Sequence, residues 1–482
     1  MTIRRPIAVS LLAGCLLGAP VLAQAPLPNL GGSGDALLSP QMERRLGESV
    51  VREIRSREPS YADDPEIAEY LADLGARLAT GTVGGRTDFE FFVMRDPTIN
   101  AFALPGGFVA VHTGLIGMAE TESELASVLA HEMAHVNQHH ISRMFGQEQR
   151  MQIPVMAAMA AALLLGRSRP DLATGAAAAV QAGTVSAQLS YSRDFEREAD
   201  RVGFETLDAA GFDTRAMAAF FEKLQKATRV SDDNSVPGYL RTHPVTLERI
   251  TVAQARAANL PYRQHRDSPE FQLVRAKIRA LSGDATEMVA SFRNAVADQR
   301  YASESAGRYG LAVALLRANQ AREADAELAR ARKAGAVGPM IESLAARIKH
   351  AEGDAPAALS ILSAARTRYP RSRALLYAHA EELLAAGRNQ ESLAILAEPV
   401  RLYPRDARLR RLQAQTYAAL GKRLLQHQAQ AEFYALEGSL PAAIEQLQLA
   451  RAAGDGDFYE LSVVDARLKE LRAQDSLANA TR

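Results

Sequence analysis

Cysteine is almost missing from the 482 residues: there is one, Cys15. No intramolecular disulfide can form, and thiolate ligands or thiol nucleophiles are excluded from the body of the chain. A metal bound there must be held by nitrogen and oxygen. Net charge is missing too. Lys plus Arg and Asp plus Glu both number 56, so nothing marks a global polyanion-binding surface, and nucleic acid is not an expected partner. Beyond the N-terminal stretch, no apolar run is long enough to cross a bilayer. MQIPVMAAMAAALLLG (151–166) and LATGAAAAVQAGTV (172–185) come nearest, and each falls short of the roughly 20 residues a span needs.

Apolar material itself is plentiful. Hydrophobic residues make up 47% of the chain, enough for two or three domains with substantial cores. The opening stretch, MTIRRPIAVSLLAGCLLGAPVLAQA, sets Arg4 and Arg5 before an apolar run that ends in Val21, Leu22 and Ala23, the small-x-small style of a secretory cleavage site. It reads as a signal peptide, 1–23, cut after Ala23. Leu12, Ala13, Gly14 and Cys15 form a rival lipoprotein box that would leave Cys15 lipidated; the residues after Cys15 stay apolar where a lipoprotein usually turns polar, which argues against it. A Gly/Pro-rich linker, 24–38, follows.

From Ser39 to Ala79 the pattern is helical, with a break marked by Pro59 and Pro65. FEFFVM, NAFALP and GFVAVHTG then read as three short strands with tight turns. Thr121 and Glu124 form a capping box, and the helix they open carries an apolar stripe of Leu125, Val128, Leu129 and Val136. The segment HEMAH, 131–135, lies on that helix. His131 and His135 are four apart, so both imidazoles leave one face a turn apart, the separation two ligands of one zinc ion need. Glu132 sits about 100° around the helix, where it reaches a water rather than the metal. An otherwise apolar helix would gain nothing from burying two unpaired imidazoles and a carboxylate.

A catalytic zinc also needs a third protein ligand. In SYSRDFEREADRVGF, Glu196 and Asp200 are four apart on one helical face, with Arg197 and Glu198 pointing elsewhere. Here the chain resembles the gluzincin metallopeptidases, the heat-shock membrane protease and CaaX prenyl protease group, whose pattern is His-Glu-x-x-His followed by Glu-x-x-x-Asp. The resemblance implies an α+β zincin-like metalloprotease domain, 39–262, holding one zinc ion per chain. His131, His135 and Glu196 are then ligands and Glu132 the catalytic base, with Glu198 a competing ligand. Asp200 becomes the acceptor that orients a ligand histidine, an arrangement that favours zinc binding by the neutral ring. In RTHPVTLERI, His243 is implied as a fourth ligand that keeps the enzyme latent, or as an oxyanion donor once displaced, ahead of a helix carrying Arg249. The segment Asn100, Ala101, Phe102, Ala103, Leu104 is expected as an edge strand on which extended substrate pairs. His139 and His140 are weaker candidates than His243, His139 reading as a solvated helix end or a support for the site, and His112 reads as structural. The apolar 151–185 region reads as buried helices over the core, as a lid or plug, or as a shallow membrane-touching hairpin.

From residue 268 onward Ala, Leu, Arg and Glu dominate. Gly353, Gly387 and Gly421 are spaced by 34, which resembles the tetratricopeptide repeat. Each such unit is a helix pair that must stack on the next to bury its face, so an all-α solenoid is expected over 268–457, with a C-terminal helix or tail at 458–482. The register is imperfect: Gly283 to Asn319 is 36 and Gly421 to Gly438 is 17. Signal peptide, catalytic domain and repeats together look like the soluble periplasmic branch of that peptidase family in Gram-negative bacteria. That likeness implies a protease acting on unfolded or stalled outer-membrane proteins, with the outer-membrane β-barrel assembly machinery as partner and peripheral membrane contact. A chaperone or assembly scaffold with a latent or structural metal site is the alternative.

Overall fold

The computed structural model describes residues 38–81, 88–146, 193–230 and 238–480. The signal peptide, the linker up to residue 37 and the 151–185 segment lie outside the described residues.

Helix α1 (Pro40–Arg57) starts where Ser39 accepts the Met42 N–H and Pro40 occupies a first-turn position that needs no donor. Helix α2 (Pro65–Ala79) starts the same way, with Asp64 accepting from Glu66 and Ile67. Between them, inside the break expected at Pro59 and Pro65, lies a short strand, β1 (Tyr61–Ala62), which two residues of unremarkable composition do not announce. The three expected strands are β2 (Glu90–Met94), β3 (Ala101–Leu104) and β4 (Phe108–His112). The sheet order is β1-β2-β4-β3, parallel only between β2 and β4.

Side chains alternate between the two faces, as a two-residue period requires. Phe92, Met94, Phe102, Leu104, Phe108 and Ala110 pack under Val50, Val51 and Ile54 of α1. Phe91, Val93, Ala101, Ala103, Val109 and Val111 face the larger core, shared with α2 and with α4 (Glu122–Asn137). A short α3 (Thr113–Met118) leads into α4, and α5 (His140–Gly146), α6 (Arg193–Ala209), α7 (Arg215–Val230), α8 (Gly238–Thr242) and α9 (Leu247–Ala258) complete the α+β domain.

The rest is a solenoid of the tetratricopeptide-repeat kind. Its helix pairs are Pro269–Leu281 (α10) with Ala285–Ala297, Glu304–Arg317 with Ala321–Lys333, Pro339–Ala351 with Ala355–Arg368, Arg373–Ala385 with Asn389–Leu402, Ala407–Ala419 with Arg423–Leu436, and Leu440–Ala452 with Phe458–Ala480. The turn inside each of the first five pairs holds a residue with positive φ: Gly283, Asn319, Gly353, Gly387 and Gly421. Gly438, which breaks the sequence period, belongs to a turn between pairs.

Candidate active site

Helix α4 carries the His-Glu-x-x-His segment at the centre of the domain. Thr121 caps it by accepting the Glu124 N–H. The reciprocal half of the capping box is shifted: the Glu124 carboxylate takes the Glu120 N–H and the Lys223 ammonium. The helix ends at His139, whose φ of 51° is left-handed, and the chain turns at once into α5. His131, Glu132 and His135 are all buried, at 0%, 0% and 1% exposure.

Helix α6 crosses α4 at Gly203, where an added Cβ would stand 3.0 Å from the His131 nitrogen and 3.2 Å from the Ala130 carbonyl carbon. That close approach brings Glu196 and Asp200, two turns and one turn earlier on the same face, against the histidines. Asp200 Oδ1 lies 3.0 Å from His131 Nδ1. Arg249, on α9, holds Asp200 with a fork of two 2.7 Å bonds and sets its remaining nitrogen 2.6 Å from Glu196 Oε2. The same guanidinium donates to the Pro244 carbonyl, so it also fixes the loop that carries His243.

His243 comes off the end of α8 and is fully buried, with the Tyr239 ring stacked on it at 4.6 Å. Its Nδ1 points inward. His131 Nε2 is 3.0 Å from His135 Nε2 and 3.4 Å from His243 Nδ1; Glu196 Oε1 is 3.3 Å from His135 Nε2 and 3.0 Å from His243 Nδ1. All four donor atoms lie within 4.8 Å of one another. Donors about 2.0–2.1 Å from one tetrahedral centre stand about 3.3 Å apart, and the four separations of 3.0–3.4 Å match that spacing, so this nitrogen and oxygen donor set suits a divalent metal.

The charges agree. Burial pushes the Glu196 carboxyl up, but His243, His135 and His131 outweigh it and hold the group well below the usual carboxylate range. Burial carries His135 well below the usual imidazole value and so favours the neutral ring that ligates. Glu132 is different. Burial lifts it, and neither carboxylate oxygen has a hydrogen-bond partner of normal geometry. Its surroundings are the His131 and His243 rings, with His243 Nε2 at 3.5 Å, and the Ala103 N–H. Among the described residues β3 pairs only with β4, so its outer edge and that N–H face the site. Ala101 and Ala103 side chains join the core on the α4 side, Phe102 and Leu104 point to the opposite face of the sheet, and Asn100 packs at Gly238.

Other residues fall in places that spacing alone does not reveal. Glu198 is not among the donor atoms; it binds His140 at 3.2 Å and Arg143 at 2.9 Å. His140, a weak candidate from the sequence, is fully buried and 2.8 Å from His135. His139 is half-exposed and bonds to Glu43 of α1. His112 serves the fold, at 3.0 Å from the Thr98 hydroxyl. Tyr239 escaped sequence reasoning entirely, because a tyrosine on a short helix carries no motif.

Such a centre, on a helix-and-sheet core joined to a helical-repeat array, defines a metallopeptidase. The pattern of Peptidase family M48 matches residues 65–257. The chain belongs to that family, and in it to the β-barrel assembly-enhancing proteases: the Escherichia coli protein of that name is 31% identical over 98% of this chain and 97% of its own length. A Vibrio cholerae relative is 40% identical over 56% of this chain and 55% of that protein. A mitochondrial metalloendopeptidase of Schizosaccharomyces pombe is 30% identical over 48% of this chain and 64% of its own length.

Proposed function

We propose that the protein is an exported zinc endopeptidase of a Gram-negative periplasm that cuts misfolded or stalled polypeptides, outer-membrane β-barrel proteins among them. Residues 39–262 act as the catalytic domain, and the 268–457 repeats engage the partner, with the β-barrel assembly machinery as candidate. The observation that carries the proposal is the meeting of His131, His135, Glu196 and His243 donor atoms within 4.8 Å, beside a buried carboxylate, Glu132, with no hydrogen bond of normal geometry. The naming of relatives for β-barrel assembly supports the substrate class.

Zinc held there would polarise the substrate carbonyl and lower the pKa of a coordinated water to about 7. Glu132 takes a proton from the attacking water and passes it to the leaving nitrogen, a double duty suited to a carboxyl that burial has lifted. Asp200 and Arg249 hold the His131 ring and Glu196 in place. His243 would hold a bound metal as a fourth ligand beside His131, His135 and Glu196, with its Nε2 facing the base, and would so keep the enzyme latent. Displacement of His243 would relieve that latency, and the freed imidazole would donate to the developing oxyanion. An extended substrate lies along β3 through backbone bonds alone, which suits an enzyme that must accept varied sequences.

Purified wild type, Glu132→Gln and His243→Ala test this. Wild type and Glu132→Gln should each carry one zinc, Glu132→Gln should lose about 10²–10⁴-fold in casein cleavage, and His243→Ala should cleave faster than wild type because release from latency outweighs the lost oxyanion donor. Slower cleavage would mean that His243 serves the reaction rather than restraining it. Cleavage by Glu132→Gln at the wild-type rate would remove the base assignment, and zinc-free wild type would remove the metal. Crosslinking the Glu132→Gln protein in the periplasm should trap unfolded outer-membrane proteins; capture of folded soluble proteins only would overturn the substrate class.

A further inference from the structure

We propose that His140 and Glu198 form a relay that dictates which ring nitrogen of His135 is bare, and so hold that histidine in its metal-binding form. The inference rests on the zinc reading above, and its test is built to fail separately from it.

The two histidines of α4 are supported differently. His131 meets a carboxylate directly, through Asp200. Behind His135 there is another imidazole instead, with His140 Nδ1 at 2.8 Å from His135 Nδ1. A gap that short between two nitrogens holds one proton, and which ring carries it decides the chemistry.

The far side of His140 breaks the tie. Its Nε2 lies 3.2 Å from Glu198 Oε2, and Arg143 sits 2.9 Å from the same oxygen, so the group facing the ring is a carboxylate that only accepts. A neutral His140 must therefore carry its proton on Nε2 and leave Nδ1 bare. His135 then donates from Nδ1, and its Nε2, the atom 3.0 Å from His131 Nε2 and 3.3 Å from Glu196, keeps the lone pair a metal needs. The reverse arrangement would set a lone pair against Glu198 and a proton in the middle of the donor cluster.

The geometry is held on every side. Phe195 stacks on the His140 ring at 4.5 Å and 13°, and Arg143 lies over Phe195. The left-handed turn at His139 folds the chain back so that His140 reaches beneath His135. Glu198 stands two residues after Glu196 on α6, so one helix supplies a donor atom to the cluster on one face and the anchor of this relay on the next. His140 and Glu198 touch no substrate in this account; they are positioning residues.

Four proteins test the relay: wild type, His140→Phe, His140→Asn and Glu198→Ala. Zinc affinity is read by competition with a chromophoric chelator, and the melting temperature of each metal-free protein is recorded. Ring ¹⁵N shifts of histidine-labelled, metal-free protein report the tautomers. His140→Phe keeps the stacking but removes both polar atoms, and it should weaken zinc by about 10–100-fold, as Glu198→Ala should. His140→Asn should recover part of the loss, because its Oδ1 stands where Nδ1 stood and still accepts from His135. Metal-free wild type should show His135 protonated at Nδ1.

Affinities of His140→Phe and Glu198→Ala within about twofold of wild type would overturn the relay, given the 10–100-fold expected of such supports. So would His135 protonated at Nε2, or affinity losses that merely track a fall in metal-free stability with no recovery in His140→Asn. Should His140→Phe fail to fold, Glu198→Ala, at a partly exposed position, decides. If wild type binds no zinc, the zinc reading fails while the tautomer measurement still judges the relay.

Discussion

At the scale of single residues, His139 and His140 are neighbours with opposite surroundings. His139 points outward to Glu43, whose carboxylate also accepts from the Ser142 hydroxyl. The Glu43 bond, opposed by partial burial, raises the His139 pKa. A raised folded-state value means that the bond stabilises fully below about pH 6.5, the ordinary histidine value, and that the gain fades as pH climbs through the folded-state value. The ring is half-exposed, so the effect is under about 1 kcal/mol. His139→Asn, which tolerates the left-handed backbone there, should lower the urea midpoint more at pH 6 than at pH 9; equal losses at both would show that the ion pair contributes nothing. His140 points inward. From the sequence the two were nearly indistinguishable, because one left-handed φ decides which of them faces the core.

Among elements, the decisive contact is α6 on α4. Helical spacing made it legible that His131 with His135, and Glu196 with Asp200, share faces. It could not say how closely the faces meet; that depends on Gly203, whose missing side chain lets α6 rest on the α4 backbone. Backbone cannot move aside as a flexible side chain can, so Gly203→Ala should cost about 1–3 kcal/mol and displace Glu196 and Asp200 enough to weaken metal binding by about tenfold or more. Gly117→Ala is the control: its added Cβ meets nothing within 4 Å, and it should be neutral or gain about 0.5–1 kcal/mol from helix propensity. Calorimetry and metal titration of the pair check both. Equal metal affinity in Gly203→Ala and wild type would mean that the helix spacing does not govern the site.

For the whole molecule, the repeats are not a free appendage. Lys277 of α10 is buried between Asp64 and Glu66 at the start of α2, at 2.6 Å from each. Glu122, fully buried at the head of the metal-bearing helix, accepts from Tyr70 and Arg77 and from Ser268 at the junction to the repeats. Further along, Ser372 and the Ala374 N–H bond to Glu69, and Arg405 and Arg408 reach Glu48 and Asp63. The solenoid thus curls back on the catalytic domain. Lys277→Met would leave two carboxylates together with their cation gone, a change that costs about 3–5 kcal/mol when such a pair is buried. We expect the melting transition to drop and split as the array loosens; one unshifted transition would mean that the clasp is dispensable.

Short-range physics made much of this protein readable before any coordinates. Helical periodicity put His131 and His135 on one face and Glu196 and Asp200 on another, Thr121 announced the helix start, and glycines recurring every 34 residues announced the stacked hairpins. These depend on residues a few positions apart, whose geometry the backbone itself dictates. Tertiary structure alone decided how closely Glu196 Oε1 and His243 Nδ1 approach those histidines, that Glu132 lies beside the edge of β3, that Glu198 serves through His140, and that the array folds against α2. Each joins segments tens to hundreds of residues apart, and packing, not spacing, sets such distances.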